Sequence, residues 1–190
     1  MIELIGFDAG SSARSGRVFV ETRINDQHLE LLYRWRGWVT APIRLPSRFA
    51  RAANPQRRDE LWRATCAEIF VALGDTSVGK SCTVGPYLEF NFSPTGDWAA
   101  YRFDTTRVGF RAHVWRGNEA PRISLAGSPD DLLLEVQLPL AALCAGAHRV
   151  GYASVVETAD GLSYWALTHP TDRPDFHHPQ SFAALLELPA

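Results

Sequence analysis

The chain has 190 residues, enough for one domain with a substantial buried core, and its 46% hydrophobic and 21% charged residues are those of an ordinary globular protein rather than a disordered one. The formal net charge of −2 supplies no general attraction to nucleic acid or to an anionic membrane. No stretch approaches the ~20 consecutive apolar residues of a membrane-spanning helix.

Positive charge is almost entirely arginine, Lys80 being the sole lysine, and this reads first as a codon-composition bias. Met1 to Asp8 has no basic region followed by a long apolar run, so no signal peptide is expected and a cytoplasmic location is. Cys66, Cys82 and Cys144 are odd in number and lack a CxxC spacing, which argues against a disulfide framework and against a zinc knuckle.

In chain order, Arg17–Ile24 reads as a strand that turns through Asn25-Asp26 into His28–Arg36, where Leu29, Leu31, Tyr33 and Trp35 share one face. Asn54-Pro55 is a start signal for a short helix through Arg58 and Leu61. Residues 67–73 form an apolar strand interrupted by Glu68. Tyr87–Phe92 alternates strictly, sending Leu88, Phe90 and Phe92 to the core and Tyr87, Glu89 and Asn91 the other way. The turn cluster Ser93-Pro94-Thr95-Gly96 leads into a strand over 97–104 and completes a hairpin.

Further strands are predicted at 132–138, 149–157 and 162–168, the last two joined by a turn containing Asp160-Gly161. Residues 139–144 read as one helical turn, and 169–181 as an irregular loop before a final strand or tail. Many short strands separated by turn signals predict an all-β fold, an antiparallel sandwich or barrel with one or two short helices. No linker, repeat or low-complexity tract divides the chain, so residues 1–190 are expected to form a single domain.

Ordered blocks along the chain carry a family resemblance. The run from Leu61 to Val71, then Tyr87-Leu88-Glu89-Phe90-Asn91-Phe92-Ser93-Pro94-Thr95-Gly96-Asp97-Trp98, resembles the bacterial DOMON-like domain proteins, relatives of the family-9 carbohydrate-binding modules. Leu134 to Leu140, Ser163-Tyr164-Trp165-Ala166-Leu167 and Pro174-Asp175-Phe176-His177-His178-Pro179 look like that family's later blocks, so the likeness covers residues 55–182 or so. The resemblance implies a sandwich of two antiparallel sheets, jelly-roll or immunoglobulin-like, whose relatives bind sugars or haem. Some of those relatives ligate haem iron through methionine and histidine. Met1 is the only methionine here and no CxxCH sequence is present, so no haem or other cofactor is expected.

A saccharide needs flat aromatic rings for its C–H face beside carboxylate, amide or guanidinium groups for its hydroxyls. Glu68, Tyr87, Glu89, Asn91, Trp98 and Arg102 offer that mixture on one sheet face and are the candidate ligand-binding residues. A solvated sheet face with cross-strand Glu–Arg pairing explains the same residues structurally. If buried, Glu68 needs a partner, expected to be an arginine. Trp62, Trp115 and Trp165 are further candidate stacking rings, with Trp165 better suited to packing; Trp35 and Trp38 stay open between the two roles.

The block Asp175-Phe176-His177-His178, with His169 and Asp172, has metal-ligand residue types but no defined spacing, and loop hydrogen bonding is the expected role. Glu68 and Glu89 could form a glycosidase pair if about 5–10 Å apart, yet many sheets meet that condition. No GxSxG or GxGxxG is present, and Cys66 has no identifiable histidine partner, so a non-catalytic domain is expected. Arg48, Arg51, Arg57, Arg58 and Arg63 are interrupted by Asp59 and Glu60 and read as a solvated surface, not a nucleic-acid site. The function expected is binding of a saccharide or sugar-containing metabolite. The alternative is a protein-interaction or assembly module, a homodimer included, paired through an exposed sheet or edge strand.

Overall fold

The computed structural model describes residues 1–7, 16–45, 55–73 and 85–189. Their strands are β1 (Ile2–Gly6), β2 (Arg17–Ile24), β3 (His28–Arg36), β4 (Cys66–Ala72), β5 (Tyr87–Phe92), β6 (Trp98–Phe103), β7 (Arg111–Ala112), β8 (Arg122–Ser128), β9 (Asp131–Pro139), β10 (Gly146–Thr158), β11 (Gly161–Ala166) and β12 (Ala184–Leu188). All pairings between them are antiparallel.

One sheet runs β1-β2-β3-β9-β8 and the other β7-β6-β5-β4-β10-β11-β1, with β12 also on β10. β1 belongs to both: Ile2 to Leu4 pair with β2, while Ile5 and Gly6 pair with β11. That shared strand folds one sheet over the other and brings two apolar faces together. Period-two alternation supplies those faces. Leu29, Leu31, Tyr33 and Trp35 of β3 lie opposite Leu138, Val136, Leu134 and Leu132 of β9, and all are buried. Ile69, Val71, Leu88, Phe90 and Phe92 of the second sheet complete the same core. Trp35 Nε1 donates to Ser154 Oγ at 3.0 Å, a polar tie between the two sheets.

The fold is thus the expected antiparallel β-sandwich, and the bounds read for β2, β3 and β5 are those observed. The helix expected after Asn54 does not form; Asn54 itself lies outside the described residues. The chain at Gln56 to Arg58 instead runs beside β6, with Trp98 N donating to Gln56 O at 3.1 Å and Arg58 N to Trp98 O at 2.9 Å. The Asp97 carboxylate explains the switch, because it accepts from Gln56 N (3.1 Å) and pairs with Arg58 (2.7 Å). Helical turns are confined, among the described residues, to short 3-10 segments at Leu61–Arg63, Leu140–Ala142 and Pro179–Ser181. Arg48 and Arg51 also lie outside the described residues.

The outer face of the first sheet is solvated and carries ion pairs such as Arg34–Asp131 at 2.5 Å. The outer face of the second sheet is covered. Phe70, Tyr87, Ala99, Tyr101, Phe103 and Phe182 form a second apolar cluster there, with Leu61, Trp62 and Phe176 packed on it. No helix of the described residues is long and apolar enough to cross a membrane.

Candidate functional site

The covered outer face holds the chemistry. Glu68 of β4 lies opposite Asn91 of β5 on one side and Ala153 of β10 on the other. Glu89 of β5 lies opposite Phe70 and Tyr101. The two glutamates are therefore diagonal neighbours on adjacent strands, pointing to the same side, with backbones roughly 7–8 Å apart. Glu68 is 2% exposed and Glu89 4%.

Glu89 Oε1 accepts from Asn91 Nδ2 at 2.7 Å, whereas Glu68 Oε1 is buried and has no hydrogen-bond partner among the described residues. The expected arginine partner of Glu68 is not found among the described residues. Its electrostatic neighbour is instead a second carboxyl group, Glu89. Burial, reinforced by that like charge, pushes the Glu68 carboxyl well above the usual carboxylate range. Burial also raises Glu89, to about 7, against the opposing pull of the Asn91 hydrogen bond and of Arg107. The pair holds a proton that isolated glutamates would release near pH 4.

Both glutamates line a pocket of about 530 Å³. Its walls are aromatic, with Trp62, Phe103, Phe110, Tyr164 and Phe176, while Arg63, Arg107 and His177 add polar groups. Trp62 reaches it from the 3-10 turn at Leu61–Arg63 and packs edge-on against Tyr101, whose hydroxyl donates to Asp59 at 2.8 Å. On the far side, residues 174–177 of the loop after β11 bend over the sheet.

Tyr87 anchors that loop. Its hydroxyl lies 2.7 Å from His177 Nδ1 and accepts from Arg107 N at 3.2 Å. With the phenol proton directed to Nδ1, the imidazole proton sits on Nε2, facing Glu89 Oε2 at 3.8 Å. Burial, then Arg107, lowers His177 to about 4, so near neutral pH it is a neutral neighbour of Glu89 and not an ion-pair partner. Arg107 holds a left-handed backbone (φ 58°), uncommon for a non-glycine residue, and its guanidinium pairs with Asp175 at 2.8 Å.

Of the residues singled out from the sequence, Glu68 and Glu89 line the pocket, and Tyr87 and Asn91 stand behind it, orienting His177 and Glu89. Trp98 and Arg102 point to the other side of the sheet. Phe92 pairs with Trp98 and Leu88 with Arg102, and directly opposed residues share a face. The turn fixes this register through Ser93 N to Asp97 O and Gly96 N to Ser93 O, both 2.9 Å. Trp98 packs in the main core against Trp115, 5.3 Å between ring centres. Trp35, Trp38 and Trp165 are core residues as well. The residues that truly face Glu89 and Tyr87 are Tyr101 and Phe103.

The histidine block does not converge. His169 Nε2 bonds Ile5 O at 2.8 Å, His178 Nδ1 accepts from Gln180 N at 3.2 Å, and His177 turns inward. No group of three metal-ligating side chains gathers among the described residues. Cys66 is buried beside Glu68, and burial pushes its thiol up, away from the thiolate a nucleophile needs.

Sequence reasoning did not place Phe103, Phe110, Arg107, Tyr164 or Phe176 at the site. Tyr164 could have been found, because Trp165 inside the core forces its neighbour outward. Phe103 depends on the register of β6 against β5, and Arg107, Phe110 and Phe176 on how loops fold back over the sheet.

No protein-family model matches the chain. No curated protein matches it either. Two solved structures are similar to it across nearly its full length. A family 9 carbohydrate-binding module from Caldicellulosiruptor kristjanssonii in complex with cellotriose superposes with a TM-score of 0.57 at 11% identity, over 99% of this chain and 83% of that one. A family 9 module from the same organism in complex with glucose gives 0.51 at 12% identity, over 98% and 84%. The likeness is one of fold: the chain is an antiparallel β-sandwich of the architecture seen in family 9 carbohydrate-binding modules.

Proposed function

We propose that the chain is a single DOMON-like sandwich domain, cytoplasmic and non-catalytic, that binds a saccharide or sugar-containing metabolite in the pocket above the second sheet. The observation that carries this reading is the buried Oε1 of Glu68, without a hydrogen-bond partner among the described residues, in a pocket walled by aromatic rings. An orphaned buried acceptor is costly, and a ligand hydroxyl would satisfy it. The rings of Trp62 and Tyr164 suit the C–H faces of a pyranose. A volume of about 530 Å³ falls within the range of small-molecule pockets. The sugar complexes formed by the two fold neighbours support the same reading.

Calorimetry or ligand-observed NMR with glucose and cellotriose tests it. Binding that is weakened by Trp62→Ala supports the proposal; no binding at millimolar sugar overturns it.

The assembly reading draws on a separate observation. Among the described residues β8 pairs only with β9 and β12 only with β10, and Leu185 of β12 is 67% exposed. A concentration-dependent dimer in sedimentation would favour that reading, and a monomer at all concentrations would remove it.

A further inference from the structure

We propose that the pocket selects a saccharide bearing a primary ammonium group, an amino sugar, over its neutral counterpart; this deepens the saccharide reading and rests on it. The inner end of the pocket is acidic, and among the described residues no arginine or lysine forms an ion pair with it, although Arg107 acts on Glu89 from a distance. Glu68 and Glu89 lie side by side on the floor, and Glu68 Oε1 has no partner among the described residues. Both arginines at the pocket are engaged elsewhere, Arg107 with Asp175 and Arg63 with Glu60, each at 2.8 Å.

On β6, Tyr101 faces Glu89 and donates its hydroxyl to Asp59, while Arg107 acts on Glu89 through its field without forming an ion pair with it. On β4 the neighbour is Cys66, held as a thiol by burial. On β5, Asn91 donates to Glu89 and Tyr87 is occupied by His177 and the Arg107 amide. From the covering loop come His177, neutral at physiological pH, and Asp175, paired with Arg107. None of these supplies positive charge directly to the glutamates.

A neutral sugar could donate a hydroxyl to Glu68, but it would leave any carboxylate charge buried and uncompensated. An ammonium offers three donors together with the missing charge. The surrounding rings of Trp62, Phe103, Phe110 and Tyr164 present negative faces that attract a cation further. In the free protein the floor stays neutral by keeping a proton on each carboxyl, because burial raises both and the neighbouring Glu89 raises Glu68 further. The ammonium replaces one of those two protons. The sugar amine enters protonated and stays so, and the glutamate pair gives up to one proton to solvent.

The test is calorimetry on the full chain at about pH 6.5, where an amino-sugar amine is still protonated. Glucosamine, glucose, N-acetylglucosamine and butylamine are titrated in buffers of different ionisation enthalpy, which counts protons released. The expected result is glucosamine bound about ten-fold or more tighter than glucose or N-acetylglucosamine, with proton release seen for glucosamine alone among the sugars. Glu68→Gln, checked as folded by circular dichroism, should bring the glucosamine-to-glucose ratio close to one.

Glucose bound as tightly as glucosamine, without proton release, overturns the inference and leaves the saccharide reading standing. Butylamine bound as tightly as glucosamine, with no glucose or cellotriose binding, overturns the saccharide reading and the selectivity resting on it, leaving a bare ammonium site. Binding by none of them overturns both.

Discussion

Tyr87 Oη and His177 Nδ1 lie 2.7 Å apart, so a strand of the second sheet holds the loop that covers its outer face. The same hydroxyl accepts from Arg107 N, and Arg107 in turn holds Asp175 of that loop. Tyr87→Phe keeps the ring, stacked on Phe103 at 4.7 Å, but removes both hydrogen bonds. The expected cost is about 1–3 kcal/mol in chemical denaturation. Nitrogen-15 NMR of the wild type should show His177 neutral with its proton on Nε2 at pH 7. Its depressed value gives a definite sign: the stability that depends on neutral His177 is full above pH 6.5 and is lost as pH falls through about 4.

The glutamate pair has the opposite sign. Their folded values lie above the ordinary 4.5, so the native state binds more protons than the unfolded chain once pH exceeds that value. Their contribution is fully present below pH 4.5; that of Glu89 is lost as pH rises through about 7 and that of Glu68 as pH rises through its own raised value, at roughly 1.4 kcal/mol per pH unit for each group that differs in protonation. Glu68→Gln removes one titrating group and lets Glu89 ionise more easily. Melting temperatures of the variant and the wild type should therefore be similar near pH 4.5 and diverge toward pH 8, with the variant the more stable. A constant difference across that range would show that the Glu68 carboxyl is not raised in the folded protein.

Trp62 and Trp98 separate pocket from core. Trp98 is 5% exposed in the main core, so Trp98→Ala should cost about 3–5 kcal/mol of stability. Trp62 is only partly buried and lines the pocket, so Trp62→Ala should cost less stability and lose most sugar affinity. Parallel denaturation and binding curves check both. Affinity lost to an equal degree in a folded Trp98→Ala protein would contradict the division of faces.

How much of this was legible follows from which interactions are local. The strict alternation of Tyr87 to Phe92 states which side each residue takes, because neighbouring side chains in a strand must diverge. The parity of Trp98 and Arg102 was not legible, since a one-residue change in the intervening turn would move both to the other face. β8, with Gly127 and small polar residues, has little strand signal and exists because β9 pairs with it. Glu68 stood out as a charge in an apolar run. That its neighbour would be Glu89 and not an arginine depends on strand order, which no local pattern contains.

Asp97 links the fold to the pocket. Its carboxylate is 5% exposed, accepts from Gln56 N at 3.1 Å and pairs with Arg58 Nε at 2.7 Å. Those contacts hold residues 56–58 along β6, where Arg57 also donates to Ala100 O and to His113 O. Four residues later the same segment delivers Trp62 to the pocket wall. Asp97→Ala removes the acceptor of the Gln56 N–H and frees Arg58, at an expected cost of about 1–2 kcal/mol. Trp62 should also lose its fixed position, so that sugar affinity falls although no pocket-lining side chain has changed. Asp97→Asn retains an acceptor for Gln56 N and should recover most of the affinity while losing the Arg58 ion pair. Hydrogen exchange across residues 56–63 gives the decisive readout: faster exchange there in Asp97→Ala, with the β3 and β9 amides unchanged, ties the loss of binding to release of this segment, whereas uniform acceleration would make it global destabilisation.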